Sequence, residues 1–314
     1  MTSADLDLLM RTRDTGLLPA GGPVLVLLSG GRDSTCLLDL AVALAGAGAV
    51  RALHVDYGLR GADSAADADH CAQLCAALGV PLELERARRA PDATGNLQAW
   101  AREVRYAAGA RLAAAHDARL AVGHTISDQV ETILYRLASS PGRRALLGMP
   151  VTAGRLVRPL LAAGATREET AGWCRSRGLS WREDASNADD ANARSRVRET
   201  LVPALRAVDA RAEENVLRTA ALLADEAAVL DELVAGVLAG RDGLPVAELG
   251  ALAPALARLV LRRLAEDATG RLCARAATRL DDVLALRDGA LDLGDGARAR
   301  VRAGVLTVGR TPPR

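Results

Sequence analysis

The stretch that decides the fold is VLVLLSGGRDSTCLLDLAVAL, Val24 to Leu44. An apolar run stops at Ser29-Gly30-Gly31, the charged pair Arg32-Asp33 follows, and an apolar-periodic segment then begins. The run, at 23–28, suits a strand buried on both faces, and the periodic segment predicts a helix over 33–46. In such proteins the carboxyl end of a strand is where ligands bind. The glycines let backbone N–H groups approach an anion closely, and the helix aims its positive end at the same place. Together they make a phosphate cradle without a lysine. Asp33 repels phosphate there unless a divalent cation stands between them, which points to Mg2+ on a polyphosphate. The plainer alternative is a turn with Asp33 or Ser34 as the helix cap.

Outward from this unit, strands and helices alternate. VRALHVD (50–56), PLELER (81–86), ARLAVGH (118–124) and RLVRPL (155–160) read as further strands. The segments at 63–79, 96–116, 127–138 and 166–177 read as helices. The pattern predicts an α/β fold, a parallel five-stranded Rossmann-like sheet with helices on both faces. Beyond about residue 195 it gives way to long amphipathic helices and then to a tail, ALDLGDGARARVRAGVLTVG, of short strands with glycine turns. We place a catalytic domain at 1–205 and a smaller, mostly helical domain with a C-terminal β-hairpin tail at 206–314.

Composition narrows the function. Of 314 residues, half are hydrophobic and a quarter charged, which is ordinary for a globular chain. No apolar run reaches the roughly 18–20 residues of a membrane span, and the N-terminus lacks a basic-then-apolar leader. A cytoplasmic protein is expected. All 40 basic residues are arginine, so a P-loop lysine and a lysine Schiff base are excluded. The net charge of +1 gives no global pull on nucleic acid, and any RNA contact must come from local patches. The cysteines are five and scattered, without a C-x-x-C pair; His70, Cys71 and Cys75 share a helix but lack further ligands.

Four more stretches can carry chemistry. His54-Val55-Asp56 ends the second strand, beside the first; alone it is a strand end and a turn. In AWAREVRY (99–106), Arg102 and Arg105 lie one turn apart and can clamp a phosphate or carboxylate, or form a solvated face. In GHTISDQVETIL (123–134), Gly123 and His124 end a strand. Asp128 and Glu131 then read as a carboxylate pair that can hold a metal or accept a proton, or as a capping box. Arg194, Arg196 and Arg198 open a helix, where cations are unfavourably placed unless an anion meets them.

SGGRDS, Ser29 to Ser34, resembles the pyrophosphate-binding loop of the N-type ATP pyrophosphatases, which cut ATP between the α- and β-phosphates and transfer AMP to an oxygen. HVDYGLR, AREVRY, GHTISDQVETIL, ALLGMP (145–150), RPLL (158–161) and EDASN (183–187) follow in the order found in the tRNA(Ile)-lysidine synthetase family. Departures are Tyr57 where the family more often has His, Ser127 for an aspartate, Ser195 for an asparagine, and Ala138-Ser139-Ser140-Pro141-Gly142 in place of a glycine-rich turn. Longer members carry a further C-terminal domain that this chain would lack.

The resemblance implies a two-step reaction. O2 of the wobble cytidine in the CAU anticodon of tRNA(Ile) attacks the α-phosphate of ATP, and pyrophosphate leaves. The ε-amine of free L-lysine then attacks C2 and expels AMP. It implies ATP and pyrophosphate binding by Ser29, Gly30, Gly31, Arg32, Asp33, Ser34, His54, Val55 and Asp56, with Mg2+ on Asp33 and Asp128 as a second candidate. Asp128, Glu131, His124, Arg102, Arg105, Arg194 and Arg198 are the candidates for catalysis and for binding lysine or RNA phosphate. A tRNA thiolase shares the loop but commonly needs paired cysteines; an amidotransferase-type synthetase needs an N-terminal cysteine or a glutaminase domain. A degenerate paralogue that binds nucleotide or tRNA without chemistry, and assembly as a homodimer, stay open. Near-neutral charge predicts patch-driven tRNA binding that weakens steeply when salt rises, measurable as the slope of log affinity against log salt.

Overall fold

The computed structural model describes residues 2–59, 61–90, 94–140, 142–182 and 193–312. The chain forms two compact units, Met1–Ala221 and Leu222–Arg314. The boundary drawn from sequence at 205 falls inside the first.

The first unit opens with helix α1 (Ser3–Asp14), whose Thr2 and Asp5 cap one another's backbone. Then come β1 (Val24–Leu27), α2 (Arg32–Ala45), β2 (Val50–Asp56), α3 (Ala62–Leu78), β3 (Leu82–Arg86), α4 (Leu97–Ala115), β4 (Arg119–Val122) and α5 (Ile126–Ser139). They continue with α6 (Arg143–Leu146), β5 (Thr152–Ala153), β6 (Leu156–Val157), α7 (Pro159–Ala162), α8 (Arg167–Ser176), α9 (Ala193–Arg196) and α10 (Val202–Val208). The strand order is β3-β2-β1-β4-β6-β5. All neighbours are parallel except the two-residue edge strand β5, which pairs antiparallel with β6.

This is the α/β fold that the alternation predicts, with two differences. The edge strand β5 is an addition. RLVRPL is a strand only at Leu156–Val157, because Pro159 has no N–H for a ladder and instead starts α7.

Every residue of β1 is buried, as a central parallel strand demands. Its side chains alternate. Val24 and Val26, with Leu28 just after the strand, pack with Leu8 of α1, Leu37 of α2, Cys71 of α3 and Trp173 of α8. Leu25 and Leu27 face Ala108 and Ala113 of α4. Because β1 lies between β2 and β4, Leu27 is level with Leu53 on one side and Val122 on the other. The segments after these strands therefore open at one edge of the sheet, at the point where the strand order reverses.

The helix α8 is anchored from below. The buried carboxylate of Asp39, in α2, accepts a hydrogen bond from Trp173 Nε1 at 2.8 Å and one from Arg177 at 3.1 Å. A buried charge with such partners is satisfied, and it fixes where the first turn of α8 emerges.

The second unit holds α12 (Val246–Ala251), α13 (Pro254–Thr269), α14 (Leu280–Ala285) and a four-stranded antiparallel sheet. The long helix α11 (Ala212–Leu238) contains the residues where the two units meet in sequence. The sheet order is β7 (Gly243–Pro245), β10 (Val305–Arg310), β9 (Ala297–Arg302), β8 (Gly289–Gly294). The tail read as short strands supplies three of these; β7, between two helices, is an addition. Ala297, Ala299 and Val301 of β9 face inward with Leu261 and Leu264 of α13. Among the described residues no helix is long and apolar enough to cross a membrane.

Gly123 ends β4 against the start of α2: a Cβ there would lie 2.9 Å from the Asp33 carbonyl oxygen and 3.0 Å from Ser34 N. Backbone on backbone cannot give way cheaply. Gly123→Ala is expected to destabilise by about 1–3 kcal/mol. Gly172→Ala, in α8 with nothing within 4 Å of its Cβ, is expected to be neutral or stabilising. Thermal unfolding of both variants checks this.

Candidate active site

The opening stretch folds into a closed loop at the end of β1. Gly30 has φ +82°, a conformation other residues rarely adopt. The Ser34 hydroxyl donates to the Gly31 carbonyl at 2.8 Å and lies 3.0 Å from Ser29 Oγ, and Ser29 N donates to Ser34 Oγ at 3.2 Å. Gly31 is the cap residue of α2 and provides no side-chain cap. The first N–H groups of α2 are thus left for a ligand at the positive end of a 14-residue helix. Arg182 N donates to the Gly30 carbonyl at 3.0 Å and closes the loop from the side.

Asp33 sits in the first turn of α2. Its Oδ1 accepts from Arg32 Nε at 3.1 Å and from the Thr170 hydroxyl, and its Oδ2 is 4.0 Å from Arg167 Nε. Its side chain remains 21% exposed, so a lone pair is within reach of a ligand.

The second group lies on α5. Here the capping box differs from the one drawn from sequence. Thr125 is the cap and Asp128 the reciprocal partner, with Asp128 Oδ2 accepting from Thr125 N at 2.8 Å and Thr125 Oγ1 at 2.9 Å. Asp128 Oδ1 accepts from Arg167 Nη2 at 2.9 Å. Glu131 is buried at 3% exposure and takes two arginines. Arg167 Nη1 donates to Oε1 at 2.6 Å, and Arg198 donates to Oε1 at 2.8 Å and Oε2 at 3.2 Å. Burial alone would raise the Asp128 pKa, but Arg167 and the Thr125 hydrogen bonds outweigh it and hold the group below its usual range. The Arg167 guanidinium is pushed up by the same carboxylates, against its own desolvation. Arg167 lies outside the sequence-based candidates. TREET reads as a helix start, and Thr166 does cap α8 with Glu169. The available signal was a cation at the first helical position, where the dipole opposes it.

The third group is a set of arginines around His124. Arg158 Nε donates to His124 Nδ1 at 3.1 Å, and its Nη1 donates to the Pro150 carbonyl at 2.6 Å. An arginine only donates, so Nδ1 is the bare nitrogen and the proton sits on Nε2. Burial, against the pull of Asp128 and helped by Arg158, Arg102 and Arg105, depresses the His124 pKa to about 3. Arg102 and Arg105 both stack on the Tyr106 ring, at 4.6 and 5.5 Å. Burial and the neighbours Arg194 and Arg102 lower the Arg136 pKa; burial and nearby Arg102 and Arg136 lower that of Arg158. Arg105 Nε is buried without a hydrogen-bond partner. Like charges held together this way make a local positive field.

The side chains of the remaining candidates are held within the protein. His54 Nδ1 bonds the Leu28 carbonyl at 2.9 Å, inside the core. Val55 packs in the apolar layer under α4. Asp56 Oδ1 accepts from Gly58 N at 2.7 Å and turns the chain. Arg194 donates to the Thr132 hydroxyl, and Ser195 is buried. Gln129 clamps Met149 from both sides, at 3.0 and 2.7 Å. Ser127 Oγ accepts from Arg167 N at 3.4 Å. The EDASN turn, 183–187, lies outside the described residues.

A histidine whose folded pKa is about 3, against an ordinary 6.5, stays neutral in the fold while the unfolded chain takes up its proton. Its contribution to stability is whole above pH 6.5 and declines as pH falls toward 3. His124→Asn is expected to flatten this part of the acid limb. Urea unfolding at neutral pH and at about pH 4.5 measures it.

Comparison with known proteins follows the same lines. The PP-loop domain family matches residues 15–205. A tRNA(Ile)-lysidine synthase of Salinispora tropica is 39% identical over 311 residues, covering 92% of this chain and 91% of that protein. One of Solibacter usitatus is 39% identical over 266 residues (82% of this chain, 59% of that protein). One of Dehalococcoides mccartyi is 36% identical over 295 residues (87% and 62%). The chain thus spans about six tenths of the length of the last two. Among solved structures, a U34-tRNA thiolase of Methanococcus maripaludis shares the fold, with TM-score 0.57 at 17% identity over 69% of this chain and 77% of that one.

Proposed function

The chain belongs to the tRNA(Ile)-lysidine synthase family of PP-loop proteins, and from that premise we propose that it ligates L-lysine to C2 of the wobble cytidine of tRNA(Ile) at the expense of ATP. The observation that carries this reading is the meeting, at one sheet edge, of a lysine-free phosphate loop, a buried carboxylate pair and a cluster of arginines.

In the first step the wobble cytidine O2 attacks the α-phosphate. The loop N–H groups from Gly30 to Ser34 receive the leaving pyrophosphate, with the field of α2 behind them. Asp33 suits an Mg2+ site made of one carboxylate and substrate phosphates, the usual arrangement for that ion. When bound, the ion would neutralise phosphate oxygens. Asp128 suits it less, because Thr125 N and Oγ1 both donate to its Oδ2 and Arg167 holds its Oδ1.

In the second step the lysine ammonium is drawn to Asp128 and Glu131; it passes a proton to Glu131, the neutral amine attacks C2, and AMP leaves with the former O2. Asp128, held below its usual pKa, is a weak proton acceptor, so its work is electrostatic. His124 is neutral and offers Nε2–H, which fits a hydrogen-bond donor to developing negative charge. Arg102, Arg105 and Arg136 would take RNA phosphate or the lysine carboxylate, while the buried Arg158 holds His124. Residues 206–314 are assigned to tRNA contact, and the enzyme to the cytoplasm.

Asp33→Ala is expected to lower tRNA-dependent pyrophosphate release about 100-fold or more. Glu131→Gln is expected to spare that step and to lower lysine-dependent AMP release. Stopped assays of both products check it. AMP release that requires tRNA but ignores lysine would contradict the reading.

A further inference from the structure

Arg167 occupies the place where a substrate ammonium has to go. One guanidinium reaches Asp128 Oδ1 at 2.9 Å and Glu131 Oε1 at 2.6 Å, and its Nε is 4.0 Å from Asp33 Oδ2. Glu131 is also held by Arg198. With both arginines in place the α5 carboxylates are fully compensated. A third cation arriving there would meet like charge among largely buried groups, where repulsion is strong. So Arg167 has to release one carboxylate before the amine binds.

The anion that can receive it is close by. Asp33 belongs to the phosphate loop, and α8 touches it twice, through Arg167 and through the Thr170 hydroxyl. The helix itself is fixed by Trp173 and Arg177 on Asp39, so the Arg167 side chain can change partners while its backbone stays. Its charge also opposes the α8 dipole, so the carboxylates it meets, and not the helix, hold it in place.

We propose that Arg167 is a positioning residue that makes amine binding conditional on the nucleotide. Without nucleotide it closes the Asp128–Glu131 pair. With polyphosphate in the loop its guanidinium turns to the phosphates and opens the pair to the lysine ammonium. Linkage then requires that lysine tighten the nucleotide by the same factor. The inference rests on the function proposed above.

The test is calorimetric titration of L-lysine into the full chain, with and without Mg2+ and α,β-methylene-ATP, which resists cleavage at the reacting bond. The wild type is expected to bind lysine about 5–150-fold more tightly with the analogue. Arg167→Met is expected to bind lysine more tightly than the wild type without nucleotide and to show a ratio near one. Arg167→Lys, which keeps a cation without the fork, is expected to retain part of the ratio, and it decides the question if the Met variant does not fold. A merely structural role would weaken both titrations alike and leave the ratio intact. A wild-type ratio near one, or the wild-type ratio kept in the variants, overturns the inference alone. Failure of the wild type to bind lysine with the analogue and tRNA present overturns the proposed function and this inference with it.

Discussion

A carboxylate taken out of water needs a cation or several hydrogen-bond donors, and this requirement organises the first unit. Asp39, Asp33, Asp128 and Glu131 all answer to α8. Trp173 and Arg177 satisfy Asp39 and seat the helix on α2. Less than about two turns of helix from Trp173 then carry Thr170 and Arg167 to the sheet edge, where they meet the other three carboxylates. If α8 shifted, the phosphate loop and the α5 pair would lose their common partner together. The buried salt bridges are therefore better evidence of a specified geometry than of added stability, since burying ions costs much of what their attraction returns.

The edge divides by charge. Toward α2 lie N–H groups and one carboxylate, suited to phosphate. Along α5 lie two carboxylates, suited to an ammonium. Around His124 lie arginines whose mutual repulsion burial makes worse. A reaction that brings ATP, a free amino acid and RNA to one point needs this partition, because each substrate carries a different charge pattern. The neutral His124 sits where the carboxylate and arginine groups meet, and Arg158 selects its tautomer.

Much of this was legible in the sequence. Alternation of apolar runs with periodic segments sufficed for the parallel sheet, because β1 must be apolar on both faces. The loop was legible because glycine, a hydroxyl and a helix start in that order have few other uses. What was not legible depends on partners far apart in the chain. His54 to Asp56 end a strand beside the loop, but their side chains turn to the core and to a turn. RLVRPL reads as a strand because Leu and Val dominate it, yet Pro159 ends the ladder and the buried Arg158 becomes a partner of His124. Arg167 was hidden because TREET scores as a helix cap, which it is; its second task appears only when α5 and α2 are brought beside it. Ser127, a departure from the family pattern, lies in that same contact and accepts from Arg167 N.

The central claim is that this edge joins lysine to a tRNA base. Nucleoside mass spectrometry tests it most directly. Unmodified tRNA(Ile) with a CAU anticodon is incubated with the protein, ATP, Mg2+ and isotopically labelled lysine, digested, and analysed at the wobble position. The account predicts that cytidine is replaced by a nucleoside heavier by lysine less water, carrying the label. An unchanged cytidine, or a labelled product without ATP, would contradict it.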